Sequence, residues 1–434
     1  MAEPPSIPFR TTGSRLFHPL SVRFNVPLDQ VNFAVCQLFA LFAAFWFRLY
    51  LSPSRAGVVI RHVVITMIGI YFAIFCFGWY SLHIFIEVSL CYCIMITANV
   101  SNIHRYSFVA AMSYLTLCQI SRVYIFNYGL LATDFSGPLM IVTQKITSLA
   151  FQMHDGLGRK EEELTAEQRR LAVSSRPTLL EYCSYHLNFL GILAGPASNY
   201  KDYIAFIEGN HIDMKLIEEH WKQKGFSKFP DPSPLRAVAN KMVITFVCLV
   251  WFMLITKNFP ITYNVDDKFI SEASFFRKLC YLFLSVHASR PKYYFAWTLA
   301  DAVNNAGGFG FNGLDKNGNI RWDLISNLNI WNIEMRSNFR HYFLSSRMMK
   351  TVYDIITWVS TQLALCYIVT PFLLLGAEPT IKFYKSMYFH FHILCAFVLP
   401  ILAVQKRKSI TQTISLKANS SNPALRHQQP KKEQ

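Results

Sequence analysis

Charge is what this sequence has least of. Only 16% of its 434 residues are Asp, Glu, Lys or Arg, against roughly a quarter in soluble domains, and the acidic ones are scarcer, 26 against 42 basic. That shortage excludes an ordinary soluble fold. No apolar run precedes Val31, so the opening MAEPPSIPFRTTGSRLFHPL is not expected to be a cleavable signal peptide, and the first apolar segment is expected to direct insertion. The ten cysteines form no CxxC pair, and Cys91 and Cys93 would point to different faces of a helix. Nearly all fall in apolar segments, so buried free thiols are expected, with no disulfide framework and no metal site. A fixed-period repeat and a low-complexity domain are also missing, which leaves no soluble second domain.

What the chain does have is apolar and aromatic sequence. It is 52% hydrophobic, with 37 Phe and 21 Tyr. Apolar segments run over residues 33–51, 63–80, 82–100, 108–125, 179–193, 242–256, 279–286 continued through 293–299, 355–375 and 387–404. About 20 apolar residues cross a bilayer as a helix, so an all-α, polytopic membrane helical bundle of about seven to ten helices is expected. Residues 1–30 read as a polar N-terminal segment, 31–404 as the multi-pass domain and 405–434 as a basic tail. The net charge of +16 sits in short loops and that tail, which fits anionic membrane lipids and the positive-inside rule rather than nucleic acid, and places the tail in the cytosol. The closing Lys431-Lys432-Glu433-Gln434 resembles a dilysine retrieval signal of the endoplasmic reticulum.

Polar residues interrupt the apolar segments at Glu87, Asn99, Glu181, His186, Asn188 and Asp301. At membrane depth such groups face a cavity or bond a neighbouring helix. His154-Asp155-Gly156-Leu157-Gly158 reads as a turn at a membrane boundary, residues 164–176 as a solvated loop or short surface helix, and Gly195-Pro196 as the end of the helix that carries His186. Residues 199–234 suggest an interfacial helix and loop. Arg290 and Lys292 lie beside aromatics, as headgroup-level anchors or, equally, as phosphate contacts.

Residues 304–334, NNAGGFGFNGLDKNGNIRWDLISNLNIWNIE, differ from everything around them. Polar, glycine-rich backbone between apolar segments is tolerated only where protein or a water-filled cavity encloses it. This is where chemistry is expected.

Taken in order, FQMHDGLGRK (151–160), YHLNFLGILAGP (185–196), PKYYFAW (291–297), the run from Trp297 to Asn305 leading to Gly308-Phe309-Gly310, and Trp331-Asn332-Ile333 resemble the membrane-bound O-acyltransferase family, in its lysophospholipid acyltransferase branch. The resemblance implies a helical bundle enclosing a substrate tunnel, with acyl-CoA entering from the cytosol and a lysophospholipid (lysophosphatidylethanolamine or lysophosphatidylserine) from the membrane. Acyl-CoA would be a co-substrate and no cofactor is implied. The family's asparagine carries over onto Asn332, and Trp297, Asp301, Asn304, Asn305, Gly308, Phe309 and Trp331 would line the tunnel. The family's histidine, a general base in an apolar helix reading like Ser-Ala-x-Trp-His-Gly, has no counterpart here. The family's course stops near residue 334 and resumes near 337, so one helix with its flanks is expected to be missing near 334–336. His341, His390 and His392 read as structural, and His83, His154, His186 and His287 lie where the family uses no base. The resemblance thus implies acyl transfer in phospholipid remodelling, impaired in this chain. The rival readings are a non-catalytic lipid- or acyl-CoA-binding isoform and a polytopic transporter. Oligomeric state is not legible.

Overall fold

The computed structural model describes residues 13–24, 26–124, 135–218, 232–256, 258–314, 320–322, 347–374, 376–397 and 400. Asn332, Trp331, His341, the expected gap near 334–336 and the basic tail lie outside these residues.

The described residues are mostly helical. In chain order the helices are α1 (His18–Phe24), α2 (Leu28–Tyr50), α3 (Val58–Phe77), α4 (Ser81–Thr97), α5 (Ile103–Tyr124), α6 (Ser136–Gly158), α7 (Ala166–Leu171), α8 (Leu179–Leu187), α9 (Tyr200–Glu208), α10 (His211–Glu218), α11 (Leu235–Ile255), α12 (Asp267–Glu272) and α13 (Phe275–Ala306). A two-stranded hairpin, β1 (Phe311–Leu314) and β2 (Ile320–Trp322), follows, then α14 (Arg347–Leu374) and α15 (Ala377–Ser386). Four described stretches are long and apolar enough to cross a membrane: Leu28–Tyr50, Val58–Thr97, Leu235–Ile255 and Thr351–Leu374. The second has 40 residues, about 60 Å of helix at 1.5 Å per residue, twice the hydrocarbon core. It divides at a short 3-10 turn, Gly78–Tyr80, where Gly78 takes φ +53°.

The outward faces are apolar, as lipid contact requires. On α2, Phe39, Phe42, Trp46 and Leu49 are exposed, while Ala40, Ala43, Ala44 and Phe47 are buried. The small residues let neighbouring helices approach closely, as membrane interfaces favour. α11 buries only Val238 and Thr245, so most of its apolar surface faces outward. A helix apolar all round that is not buried in protein belongs in lipid.

The described residues divide into two compact units. The first draws on Met1–Lys257 and Ala288–Tyr342, the second on Asn258–His287 and Phe343–Gln434. In the second, Leu282, Val286, Cys366, Tyr367, Phe383 and Met387 form the buried core, and Lys382 Nζ pairs with Asp267 Oδ1 at 2.6 Å. His392 Nδ1 lies 3.1 Å from the Tyr367 hydroxyl and His390 Nδ1 bonds the Met387 carbonyl at 2.8 Å. Both histidines make local bonds of the kind that hold a fold.

Four expectations change. The turn at residues 154–158 is helix: α6 continues to Gly158 and its cap is Arg159. Asp155 pairs with Arg159 one turn on, at 3.1 Å. Gly156 serves packing, because a Cβ there would collide with the Val173 backbone, whose N–H donates to the Gln152 carbonyl at 3.0 Å. Gly156→Ala is therefore expected to destabilise the protein by about 1–3 kcal/mol through overpacking, read as a lower midpoint of thermal unfolding in detergent. Secondly, α8 ends at Leu187, not at Gly195-Pro196. The Asn188 side chain turns back and donates to the Ser184 and Tyr185 carbonyls at 3.2 and 2.8 Å, which stops the helix by satisfying its end. Thirdly, the Glu181 carboxylate is spent at the start of its own helix. It closes a capping box with Thr178 at the start of α8, the Thr178 N–H donating to Glu181 Oε2 at 2.8 Å, an exchange that satisfies two helix-end donors. Lastly, all ten cysteines are free thiols, but Cys93 and Cys280 are exposed and Cys183, Cys248 and Cys395 half-buried. A thiol is a small apolar group and sits as easily on an outward face.

Candidate functional site

The first unit contains a band of backbone that is neither helix nor strand yet is enclosed by protein. Residues 184–193 are all buried, although the helix has ended at Leu187. Every turn of this segment is tied down. The Phe189 N–H donates across to the Ile65 carbonyl on α3 at 3.2 Å, and Gly191, Ile192 and Gly195 bond back within the segment. Lys145 of α6, 2% exposed, donates to the Tyr185 carbonyl at 3.2 Å and holds its ammonium 5.1 Å from that ring's centroid. α3 comes this close because Gly69 has no side chain: a Cβ there would run into the backbone of residues 187–189. Broken backbone at membrane depth is allowed only with such enclosure.

The polar stretch expected to carry chemistry packs against this segment. Asn304 Nδ2, near the end of α13, donates to the Leu190 carbonyl at 3.0 Å and to Ala300 at 2.8 Å. Beyond Ala306 the chain folds over itself. Gly308 donates its N–H to the Asn305 carbonyl and Phe309 to that of Asn304, both at 2.9 Å. Gly308 and Gly310 take φ +91° and +104°, a region that favours glycine. Phe309 is buried and lies 5.0 Å from Phe206 and 6.3 Å from Tyr203, ring to ring.

Lys241 of α11 locks the arrangement. Its ammonium donates to Asp301 Oδ2 at 2.6 Å, to Asn305 Oδ1 at 2.7 Å and to the Trp322 carbonyl at 2.7 Å. One cation thereby joins α11, α13 and the β hairpin, in which Phe311 pairs with Trp322. The Asn305 amide is used at both ends, since its Nδ2 donates to the Phe309 carbonyl at 3.1 Å. Lys241 and Asp301 side chains are 14% and 8% exposed. A carboxylate this dry requires such a partner.

A second polar network lies beside Phe309. His62 Nδ1 is 2.8 Å from Ser184 Oγ, which also bonds the Tyr203 hydroxyl, and all three residues are buried. Burial pushes the Tyr203 hydroxyl upwards from its ordinary range, so it stays protonated and able to donate.

Of the residues singled out in the sequence, Asp301, Asn304, Asn305, Gly308 and Phe309 are thus brought together. Trp297 is on the same helix but 45% exposed and leans on Tyr293 at 5.9 Å, outside the cluster. Asn332 and Trp331 lie outside the described residues. His83, His154, His186 and His287 each engage Nδ1 locally, with Tyr114, Val100, Tyr182 and Phe283. Among the described residues no group of three metal-ligating side chains converges. Sequence reasoning missed Lys241, Lys145 and the His62–Ser184–Tyr203 network. The available signal was a lysine adjoining or interrupting apolar sequence, as in Asn240-Lys241-Met242.

The sequence pattern of the membrane-bound O-acyltransferase family matches residues 120–345, which include this whole polar band from α8 to the hairpin. Among curated relatives, the human protein named membrane-bound glycerophospholipid O-acyltransferase 1 is 54% identical, over 97% of this chain and 98% of that protein. The human membrane-bound glycerophospholipid O-acyltransferase 2 is 46% identical over 94% of this chain and 91% of its own length. The Drosophila melanogaster lysophospholipid acyltransferase 6 is 35% identical over 89% and 63%. The first alignment spans 486 positions and the chain has 434 residues. At least 52 of those positions (486 less 434) therefore face gaps in this chain.

Proposed function

The chain belongs to the membrane-bound O-acyltransferase family, and from that premise we propose that it binds acyl-CoA and a lysophospholipid, lysophosphatidylethanolamine or lysophosphatidylserine, in the endoplasmic-reticulum membrane, but transfers the acyl group poorly. The reaction of such a site joins a lysophospholipid hydroxyl oxygen to the thioester carbonyl carbon. The C–S bond breaks, CoA leaves as its thiol, and the hydroxyl proton has to be taken up. A histidine suits that task near neutral pH, and a neutral amide, the role carried over onto Asn332, can donate towards the developing negative charge without burying an ion.

One observation carries the impairment: the relative is matched almost end to end over an alignment longer than this chain. We assign those gap positions to residues 334–336, where the resemblance to the family breaks off, and so placed they would take away the helix with the family histidine. The binding half of the function is supported by the Lys241–Asp301–Asn305 lock and the enclosed Gly308-Phe309 loop, which remain joined.

The test is equilibrium binding to the full chain in nanodiscs. A non-hydrolysable acyl-CoA and lysophosphatidylethanolamine are both expected to bind, with no phospholipid formed when the hydrolysable thioester replaces the analogue. A chain that binds neither is not an acyltransferase-type receptor, and the proposal fails.

A further inference from the structure

Arg61, in the first turn of α3, is a cation without a carboxylate. It is 3% exposed, and among the described residues no acidic side chain pairs with it. Its guanidinium carbon lies 5.1 Å from the Phe47 ring centroid and 5.5 Å from that of Phe206. Nη1 donates to the Ile207 carbonyl, while Nε is buried with no partner.

These contacts do not balance a buried charge. The Ile207 carbonyl belongs to the last turn of α9, where the helix dipole favours a cation, and two ring faces add some attraction. A neutral donor or a lysine would cap α9 as well, without leaving a rigid five-donor fork largely unused. An ion this buried is expected to be paired, and the guanidinium plane is suited to take two oxygens of a phosphate at once.

The surroundings indicate where such an anion would come from. Arg48, near the end of α2, donates to the Pro232 carbonyl at 3.0 Å, and its side chain runs past Gly308, where a Cβ would lie 3.9 Å from Arg48 Cδ and 4.0 Å from Phe206 Cε2. Phe206 in turn packs on Phe309. Two arginines and the polar loop thus meet around one aromatic ring.

We propose that Arg61, with Arg48 beside it, receives the anionic phosphate ester of a substrate bound next to the Gly308-Phe309 loop. This rests on the acyltransferase reading, in which both substrates carry such a group, CoA as phosphate esters and the lysophospholipid as a phosphodiester. The interaction is a charge-assisted one that a neutral amide cannot replace.

The experiment compares the full chain with Arg61→Gln and Arg61→Lys in nanodiscs, titrated separately with a non-hydrolysable acyl-CoA and with lysophosphatidylethanolamine, and with unfolding midpoints recorded for each. Arg61→Gln is expected to weaken one titration by about ten- to a hundredfold at an unchanged midpoint, with Arg61→Lys between; the titration that weakens identifies the phosphate. Unchanged affinity for both ligands overturns the proposal and leaves the acyltransferase reading standing. Loss of both together with a lowered midpoint also overturns it, since Arg61 then serves only to dock α9. If the unsubstituted chain binds neither ligand, the acyltransferase reading fails and takes this proposal with it.

Discussion

Inserting at residues 334–336 the segment of the human relative that we propose this chain to lack is expected to raise acyl transfer from oleoyl-CoA to lysophosphatidylethanolamine by about 10²–10⁴-fold, the contribution of a positioned general base. The size follows from the chemistry. A lysophospholipid hydroxyl is a weak nucleophile until its proton is removed, and among the described histidines His83, His154, His186, His287, His390 and His392 already spend Nδ1 on partners within the fold. The same insertion with its histidine changed to alanine should stay at background. That control separates the base from packing, because the inserted helix would also fill space between its neighbours, and membrane helices associate by packing.

The second large effect is on stability. Lys241→Met removes the ammonium that faces Asp301, Asn305 and the Trp322 carbonyl, and leaves a carboxylate only 8% exposed without its cation. Breaking a buried pair in this way costs about 3–5 kcal/mol. Changing Asp301→Asn in the same chain removes the stranded charge, so the double variant should recover a good part of the loss, a coupling expected of residues in direct contact. Thermal unfolding midpoints of the two single variants and the double variant read this directly. Midpoints that fall additively would mean that Lys241 and Asp301 act independently and that the hairpin is held by other contacts. Acyl-CoA binding should follow the midpoints, since the lock carries the Gly308-Phe309 loop.

Outward-facing helices were the legible part of the chain. Residues 33–51, 63–80, 82–100 and 242–256 correspond to α2, α3, α4 and α11, because lipid-facing surfaces are apolar on every turn and hydropathy registers them. α6 escaped for the converse reason. Its 23 residues include Thr143, Lys145, Gln152 and Asp155, and these polar groups face inward, Thr143 onto Glu87 at 2.6 Å and Lys145 onto the Tyr185 carbonyl. A helix that turns polar residues into a bundle looks from its sequence like a loop. Gly156 compounded the error, since a glycine required by the approach of the Val173 backbone reads the same as one required by a turn.

The candidate site was legible by composition and only partly by identity. Asn304, Asn305, Gly308 and Phe309 stood out because Asn and Gly are rare between apolar segments, and Asp301 because a carboxylate there is costly. Their partners did not stand out. Lys241 comes from 60 residues away and Leu190 from 114, and pairings across such distances are set by tertiary packing alone. Trp297 illustrates the opposite failure: it belongs to the motif stretch, but its position on α13 turns it outward, with 45% of its surface exposed. Arg61 carried no signal either, since a basic residue at the start of an apolar helix ordinarily marks the membrane boundary.

The most direct measurement is acyl transfer by the unaltered chain, expressed in membranes that lack other lysophospholipid acyltransferases, from oleoyl-CoA to lysophosphatidylethanolamine. Transfer at the level of membranes without the chain is expected, alongside retained binding of the non-hydrolysable acyl-CoA. Robust transfer that disappears on Asn332→Ala would contradict it, and would show that the chain completes its catalytic site without the family's histidine.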